Sequence, residues 1–323
     1  MKAVRHAAEY ALVSLTMWLA RVLPWGVVRA MGSGLGFLFY AIDRRHRRIA
    51  LQNLAAAFPR KPDAERQALV RQVFGHFGRL LFELLKFSGL SRDEVLARVE
   101  IEGGERIREA RANGRGALLF TGHFGYWEIN ALAHAAAFAP IGVLARPLDN
   151  RRLHDLLEQM RGGLGNYVIY RRGALRRVLK ALSANDGVAI LIDQHIQAPD
   201  AVTVNFFDRP AATTLALGVL ALRTGAPVIP VFALPNGIGQ YRLLYERPVD
   251  PPADDSPEAI RDFTQRCTDV LEMQVRRHPE LWLWMHRRWR DTAVADAGDP
   301  GMFPPAARDD ARDEARDDAR DDA

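Results

Sequence analysis

Short apolar runs alternate with longer amphipathic segments through the middle of the chain. The β-rich runs cover residues 98–102, 117–120, 141–145, 167–170, 188–192 and 228–233, and a further run starts at residue 241. In the segments 127–138, 151–161, 174–184, 213–224 and 256–277, apolar residues follow a helical pattern. Because strands alternate with helices, we predict an α/β fold with a mostly parallel sheet flanked by helices.

Two apolar runs, 10–20 and 30–42, precede this region, and a cluster of basic residues follows the second run at 44–48. Neither run reaches the ~18 uncharged residues of a spanning helix, and no cleavage site follows a clean signal core. Short apolar helices beside arginines are typical of a segment that lies in the membrane interface on anionic lipids. We therefore predict N-terminal membrane-associated helices over residues 1–48. A buried helical hairpin is the alternative, and full spanning is a lesser one.

The charge of the chain is unevenly distributed. Its 323 residues carry +5, but the tail from residue 308 has four arginines against eight acidic residues, so residues 1–307 carry +9. The tail repeats every four residues without large apolar side chains, which predicts disorder over 293–323 and leaves 49–292 as the globular domain. A basic body suits nucleic acid, an anionic membrane or an acidic partner. No nucleic-acid motif is present, so we predict no nucleic acid partner.

One segment, Gly116 to Glu128, carries the clearest chemistry. An apolar strand leads directly into His123, and Glu128 follows five residues later. Reactive groups collect at the carboxyl edge of parallel sheets, so His123 is a candidate general base. Glu128 could accept a hydrogen bond from its imidazole and fix the tautomer. On spacing alone, a loop histidine beside a helix-initiating glutamate is an equally good interpretation.

Other charged residues also follow predicted strands and helices. Asp193 ends a strand and requires a partner, because a buried charge is costly. Arg146 ends another strand and Arg161 closes a helix, so either arginine could bind an oxyanion or pair with Asp193. His195 alternates with Asp193, but a third ligand at suitable spacing is missing, and we predict no metal. The single cysteine, Cys267, lies in a helical pattern and excludes a disulfide framework.

The segment 279–290 combines three tryptophans with four basic residues. Tryptophan and arginine suit the headgroup level of a membrane, or a site that holds acidic head groups. We therefore predict that His286, Arg287 and Arg288, together with Arg146, bind substrate. A tryptophan-rich segment packed on the core is the alternative, and the two can both hold.

Several motifs occur in a defined order along the chain. They are Thr-Gly-His-Phe-Gly-Tyr-Trp-Glu at 121–128, Arg-Pro-Leu-Asp-Asn at 146–150, Arg-Gly-Gly-Leu-Gly at 161–165, Ile-Asp-Gln at 192–194, the runs 53–59, 204–214 and 226–230, and the tryptophan-rich 279–289. Together they resemble the bacterial lipid A late acyltransferase family, the lauroyl and myristoyl transferases of the lysophospholipid-acyltransferase-like superfamily. The resemblance covers about residues 5–290. One departure is Phe207-Asp208, where the family usually has Phe-Gly.

The resemblance implies an acyltransferase on the cytoplasmic face of the inner membrane. It implies a lipid substrate and a donor thioester on acyl carrier protein, or less often coenzyme A, with no resident cofactor. It assigns His123 as base and Glu128 as its partner, with Arg161 and Asp193 as supporting residues. No serine lies in a Gly-x-Ser-x-Gly elbow, so direct attack of a lipid hydroxyl on the thioester is favoured over a covalent intermediate.

Three alternatives to transfer onto a lipid A precursor remain. A lysophospholipid or glycolipid acyltransferase would use the same chemistry on another acceptor. A non-catalytic lipid-binding or scaffolding membrane protein would not need His123, Glu128 and Asp193 together. A membrane-bound hydrolase would use the same base on water.

Overall fold

The computed structural model describes residues 2–170, 173–196 and 201–289, so the predicted tail 293–323 lies outside the described residues. The strands are β1 (Val99–Glu102), β2 (Ala117–Thr121), β3 (Ile141–Ala145), β4 (Tyr167–Tyr170), β5 (Gly187–Leu191), β6 (Ala201–Phe206), β7 (Arg209–Thr214), β8 (Val228–Pro235) and β9 (Tyr241–Tyr245). The α-helices are α1 (Lys2–Val22), α2 (Trp25–Ile42), α3 (Arg44–Ala57), α4 (Asp63–Phe87), α5 (Arg92–Leu96), α6 (Gly104–Ala112), α7 (Trp127–Ala137), α8 (Arg151–Gly162), α9 (Ala174–Ser183), α10 (Ala216–Thr224) and α11 (Pro257–Arg277).

Seven strands form one sheet in the order β1-β9-β8-β2-β5-β3-β4. Every neighbouring pair is parallel except β8 with β9, so the predicted mostly parallel α/β sheet is confirmed. Every residue of β2 is buried, as expected for a central strand that is covered by helices on both faces. β2 and β5 are adjacent and in register, with Thr121 opposite Leu191. Residues that follow these two strands at equal distances therefore lie side by side.

A two-stranded hairpin, β6 with β7, was not predicted. Thr213 and Thr214 end β7, and the helix that we predicted from residue 213 begins only at Ala216. The turn of the hairpin consists of Phe207 and Asp208, with φ angles of 55° and 57°. Two central residues with positive φ are what a tight type I′ hairpin requires, and glycine usually supplies at least one of them.

Replacing Asp208 with glycine is expected to stabilise the protein by about 0.5–1 kcal/mol, because a left-handed conformation strains a side chain that carries a Cβ. The Asp208 carboxylate is fully exposed, and its distance of 3.8 Å from the Arg276 guanidinium makes a long, solvated ion pair. Loss of this pair therefore costs little stability. The free energy of unfolding, measured by denaturant titration, checks this result. Asp208→Ala is the matched control, since it removes the carboxylate but keeps the Cβ. Equal stability of the two variants would contradict the explanation.

Helices α2 and α4 pack with their backbones in direct contact. A Cβ placed on Gly32 would lie 2.7 Å from the carbonyl oxygen of Gly78, and Cβ atoms on Gly36 or Gly78 would come closer still to the opposite backbone. The Gly32-x-x-x-Gly36 spacing places both glycines on one face of α2, which is a common arrangement for close helix packing. Side chains at these positions would force the two helices apart.

The outer faces of α1 and α2 carry large apolar side chains. The most exposed are Val4, Leu12, Leu15, Trp18, Val22, Leu38, Phe39 and Ile42. Among the described residues, one helix, Trp25–Ile42, is long and apolar enough by length and composition to cross a membrane. The membrane contact of the segment 1–48 stays a prediction.

Candidate active site

His123 lies at the carboxyl end of β2, after Gly122. Its backbone carbonyl accepts a hydrogen bond from the Leu283 amide at 3.1 Å, and its imidazole is mostly buried, with 16% of the side chain exposed. Gly122 has no room for a side chain, because a Cβ there would lie 2.9 Å from the Asp193 carboxylate. The backbone at 122–123 is therefore packed directly against Asp193.

Asp193 accepts three hydrogen bonds that fix its carboxylate. Oδ1 accepts from Nδ1 of His123 at 2.8 Å, and Oδ2 accepts from the backbone N–H of His123 at 2.7 Å and from Nε1 of Trp282 at 2.8 Å. The pairing follows from the sheet, because His123 and Asp193 each lie two residues beyond the adjacent positions Thr121 and Leu191. Asp193 is therefore the carboxylate that orients the imidazole.

This arrangement sets the protonation of both groups. Burial alone would raise the pKa of Asp193, but the charge and hydrogen bonds of His123 outweigh it and bring the pKa to about 2. Burial opposes the charging of His123, yet the adjacent Asp193 carboxylate raises the pKa of the imidazole above its ordinary value. Since a carboxylate only accepts hydrogen bonds, Nδ1 carries the proton in the neutral imidazole. Nε2 is then left as the basic nitrogen.

The predicted hydrogen bond between Glu128 and His123 is wrong, because each residue has a different partner. Glu128 lies in the first turn of α7, and both of its carboxylate oxygens bond instead to Arg161 in the last turn of α8. The Nε–Oε2 distance is 3.0 Å, and the second bond joins Nη2 to Oε1. Both side chains are mostly buried, and this pairing raises the pKa of the Arg161 guanidinium against the effect of burial. Glu128 still acts on His123 through its charge, which raises the pKa of the imidazole further.

A mainly apolar pocket lies between strands β2, β3 and β5 and the first turn of α7. Its empty space, counted together with the open solvent at its mouth, is about 520 Å³, and residues of β2, β3 and β5 line it together with the Glu128–Arg161 pair. Trp127 also lines it and contacts the His123 ring edge-on, with the ring centroids 5.2 Å apart. Trp127 therefore contacts both the pocket and the His123 imidazole.

The residues predicted to bind substrate differ in exposure. Arg146 follows β3 directly and is exposed, while Arg287 is half-buried. Nε2 of His286 accepts a hydrogen bond from the His195 backbone at 3.3 Å, and burial lowers the pKa of His286 to about 4. Arg288 is buried and donates to the Ala212 carbonyl and the Thr213 hydroxyl, so its guanidinium holds the β6–β7 hairpin. This burial argues against a headgroup contact for Arg288.

The three tryptophans of 279–290 are buried as well, which supports packing on the core over a membrane interface. Trp282 also belongs to the site, because its indole N–H donates a hydrogen bond to Asp193. The sequence did not predict this contact. Among the described residues, no group of three or more His, Cys, Asp or Glu side chains could hold a metal ion. Cys267 is buried, and burial raises the pKa of its thiol.

Comparison with known proteins gives a consistent result. A family model described as bacterial lipid A biosynthesis acyltransferase matches residues 1–291. The chain is 31% identical to the lipid A biosynthesis lauroyltransferase of Escherichia coli K12, over 85% of this chain and 89% of that protein. It is 25% identical to the palmitoleoyltransferase of the same strain, over 87% and 90%. It is also 21% identical to the phosphatidylinositol mannoside acyltransferase of Mycolicibacterium smegmatis, over 85% and 90%.

Proposed function

Because this chain belongs to the bacterial lipid A biosynthesis acyltransferase family, we propose that it transfers a fatty acyl chain from a thioester to a hydroxyl of a lipid A precursor. The observation that carries this proposal is the His123–Asp193 pair, which leaves Nε2 of His123 as a base, with Trp127 in contact with both its ring and an apolar pocket. The pair supplies a base for the hydroxyl, and the pocket suits an acyl chain. The chain is an acyltransferase, and the base, the donor and the acceptor are the proposed parts.

Nε2 of His123 takes the proton from the acceptor hydroxyl as its oxygen attacks the thioester carbonyl. The imidazolium that forms is stabilised by the Asp193 carboxylate at 2.8 Å. A positive group or a backbone N–H stabilises the tetrahedral oxyanion. When the carbon–sulfur bond breaks, the departing thiolate takes the proton from His123, so that the base is restored and an ester remains.

The donor is proposed to be an acyl thioester of acyl carrier protein, with coenzyme A as the less favoured carrier. The described body of the protein is basic, and an acidic carrier protein complements that charge. The thioester is a co-substrate, so no resident cofactor is proposed.

Membrane association at the cytoplasmic face of the inner membrane is part of the same proposal. The side-chain amide of Asn150, in the loop after β3, donates to the His6 carbonyl at 3.0 Å and to the Glu9 carboxylate at 2.9 Å. This contact fixes α1 near the carboxyl edge of the sheet, where His123 also lies. The exposed apolar side chains of α1 therefore support a membrane surface close to the site, from which a lipid could enter.

A glycolipid other than lipid A is the second candidate acceptor. The similarity to a phosphatidylinositol mannoside acyltransferase over 85% of this chain favours it, because the family architecture is then compatible with a different head group. The two acceptors share the same chemistry at His123.

Acyl transfer by the purified protein in detergent tests the proposal. Acyl carrier protein thioesters of several chain lengths are offered with a tetra-acylated lipid A precursor, a mannosylated phospholipid or a lysophospholipid. We expect transfer to the lipid A precursor, and its loss in the His123→Ala variant. Transfer only to another lipid would change the acceptor, and free fatty acid without acceptor would indicate a hydrolase. Undiminished transfer by folded His123→Ala would exclude the proposed base.

A further inference from the structure

The polar residues His76, Arg79 and Glu83 lie on one face of α4, where His76 and Glu83 are buried and Arg79 is half-buried. Their spacing of three and four residues places them in one line along the helix. His76 is 0% exposed and Glu83 is 1% exposed. Burying such groups is unfavourable unless they have partners, and apolar residues would fill the same space without that cost. The partners of His76 and Glu83 therefore indicate why these residues are present.

His76 forms a hydrogen bond with the backbone between His123 and Glu128. Its Nε2 lies 3.1 Å from the carbonyl oxygen of Gly125. Burial lowers the pKa of His76 to about 3, so the imidazole is neutral and Nε2–H donates to this carbonyl. Gly125 has a φ of 59°, and a Cβ there would collide with the carbonyl of Ala233. This backbone has a conformation that few residues can adopt, and His76 holds its carbonyl.

Glu83 holds the next residue along, Tyr126. Its Oε2 accepts a hydrogen bond from the Tyr241 hydroxyl at 2.6 Å, and the Tyr126 hydroxyl interacts with the same carboxyl group. The Tyr126 and Tyr241 rings pack with centroids 4.8 Å apart. Nη1 of Arg29, on α2, lies 3.8 Å from Oε1. Glu83 thus joins α2, α4 and β9 at the side chain of Tyr126.

Gly125 and Tyr126 are the middle residues between His123 and Glu128. The Gly125 amide also donates to the Leu281 carbonyl at 2.9 Å, and the Tyr126 amide donates to the Ala233 carbonyl at 2.9 Å. These backbone bonds fix the two N–H groups. The Tyr126 carbonyl accepts from the Asn130 amide at 2.9 Å, at the start of α7. His76 and Glu83 hold the two other polar groups of these residues, which are the Gly125 carbonyl and the Tyr126 hydroxyl.

We propose that His76 and Glu83 are positioning residues for acyl transfer, which set the distance between His123 and the Glu128–Arg161 pair by holding Gly125 and Tyr126. This inference rests on the proposed function, because it takes His123 as the base. Neither residue touches the substrate. Their effect is on turnover, since small displacements of reacting groups slow a reaction by up to about 100-fold.

Four variants test the proposal in the acyl-transfer assay with full-length protein. His76→Leu and Glu83→Leu remove the hydrogen bonds, whereas His76→Gln keeps a donor and Glu83→Gln keeps an acceptor of similar length. We expect the leucine variants to lower kcat by about 10- to 100-fold with less than a threefold change in KM. The glutamine variants are expected to recover at least a third of wild-type kcat.

Val70→Ala is the matched control for general destabilisation. Val70 is fully buried on the same helix, six residues before His76. Rates are normalised to the folded fraction from circular dichroism, so that loss of fold is separated from loss of turnover. An equal fall in kcat for Val70→Ala, or normal kcat in both folded leucine variants, would overturn the proposal. Should a leucine variant not fold, the shortened His76→Asn or Glu83→Asp takes its place, since it keeps a polar group but withdraws it from its partner, and normal kcat in that folded variant would overturn the proposal.

The test separates the two hypotheses. If wild type transfers acyl chains and His123→Ala does not, but the leucine variants are normal, only the positioning role fails. If folded His123→Ala retains full activity, the proposed base itself is wrong.

Discussion

Replacing Asp193 with asparagine is expected to lower kcat by about 10³- to 10⁴-fold while the protein still folds. The carboxylate oxygen Oδ2 accepts from both the His123 amide and Trp282, so the single oxygen of asparagine will take that position. The NH₂ group then faces Nδ1 of His123, which must accept a hydrogen bond. The ring proton moves to Nε2, and the base is lost. Acyl-transfer kinetics with purified variants measure this loss.

The pH profile gives a second readout of the same substitution. The catalytic form requires a neutral His123, and the Asp193 charge raises the pKa of that imidazole, so wild-type kcat is expected to fall as the pH drops through a value above the ordinary 6.5. In Asp193→Asn the charge is absent and burial lowers the pKa of His123. The acid limb of the residual activity is therefore expected at lower pH than in wild type.

Asp186→Asn is the matched control for this prediction. Asp186 directly precedes β5, at the opposite end of the strand from Asp193, and accepts a hydrogen bond from Tyr167. Asp186→Asn also removes one carboxylate charge next to β5, but at a residue that does not contact His123. If both variants lose activity equally, or if Asp193→Asn keeps more than a tenth of wild-type kcat, the assigned role of Asp193 is incorrect.

Replacing Arg161 with methionine is expected to destabilise the protein by about 3–5 kcal/mol, because it leaves the mostly buried Glu128 carboxylate without its cation. Methionine is chosen because it keeps most of the apolar stem of arginine. The free energy of unfolding, from urea titration followed by tryptophan fluorescence, measures the change.

The double variant Glu128→Gln with Arg161→Met separates the ion pair from packing. Removing both charges is expected to restore most of the stability that Arg161→Met loses, since no unpaired charge remains. A double variant that is as unstable as Arg161→Met would instead attribute the loss to the volume of the arginine side chain.

The main sheet was predictable because its central strands are largely buried and so appear as uninterrupted apolar runs, such as 117–120 and 188–192. The β6–β7 hairpin was missed because its turn, Phe207-Asp208, lacks the glycine that marks tight turns. Thr213 and Thr214 were assigned to a helix, because the apolar residues that follow them continue a helical period.

The residues of the site were found more easily than their pairing. His123 and Asp193 could be selected because each follows an apolar strand. Glu128 was indicated by its spacing from His123, and Arg161 by its place at the end of a predicted helix. Spacing alone favours Glu128, the nearest carboxylate in sequence, as the partner of His123. Asp193 is the actual partner because β2 and β5 are neighbours, and strand order is not visible in one sequence. Trp282, which comes from the other end of the chain, gave no signal of its contact with Asp193.

The glycine contact between α2 and α4 means that α2 cannot simply be exchanged for another apolar helix. Another apolar helix put in its place would carry side chains where Gly32 and Gly36 meet the backbone of α4, and it would be held away from α4. Deleting α2 would instead uncover the matching groove on α4. A variant with a less apolar surface, for crystallisation, is therefore better sought by keeping both glycines and replacing outward residues such as Leu38 and Phe39 with polar ones.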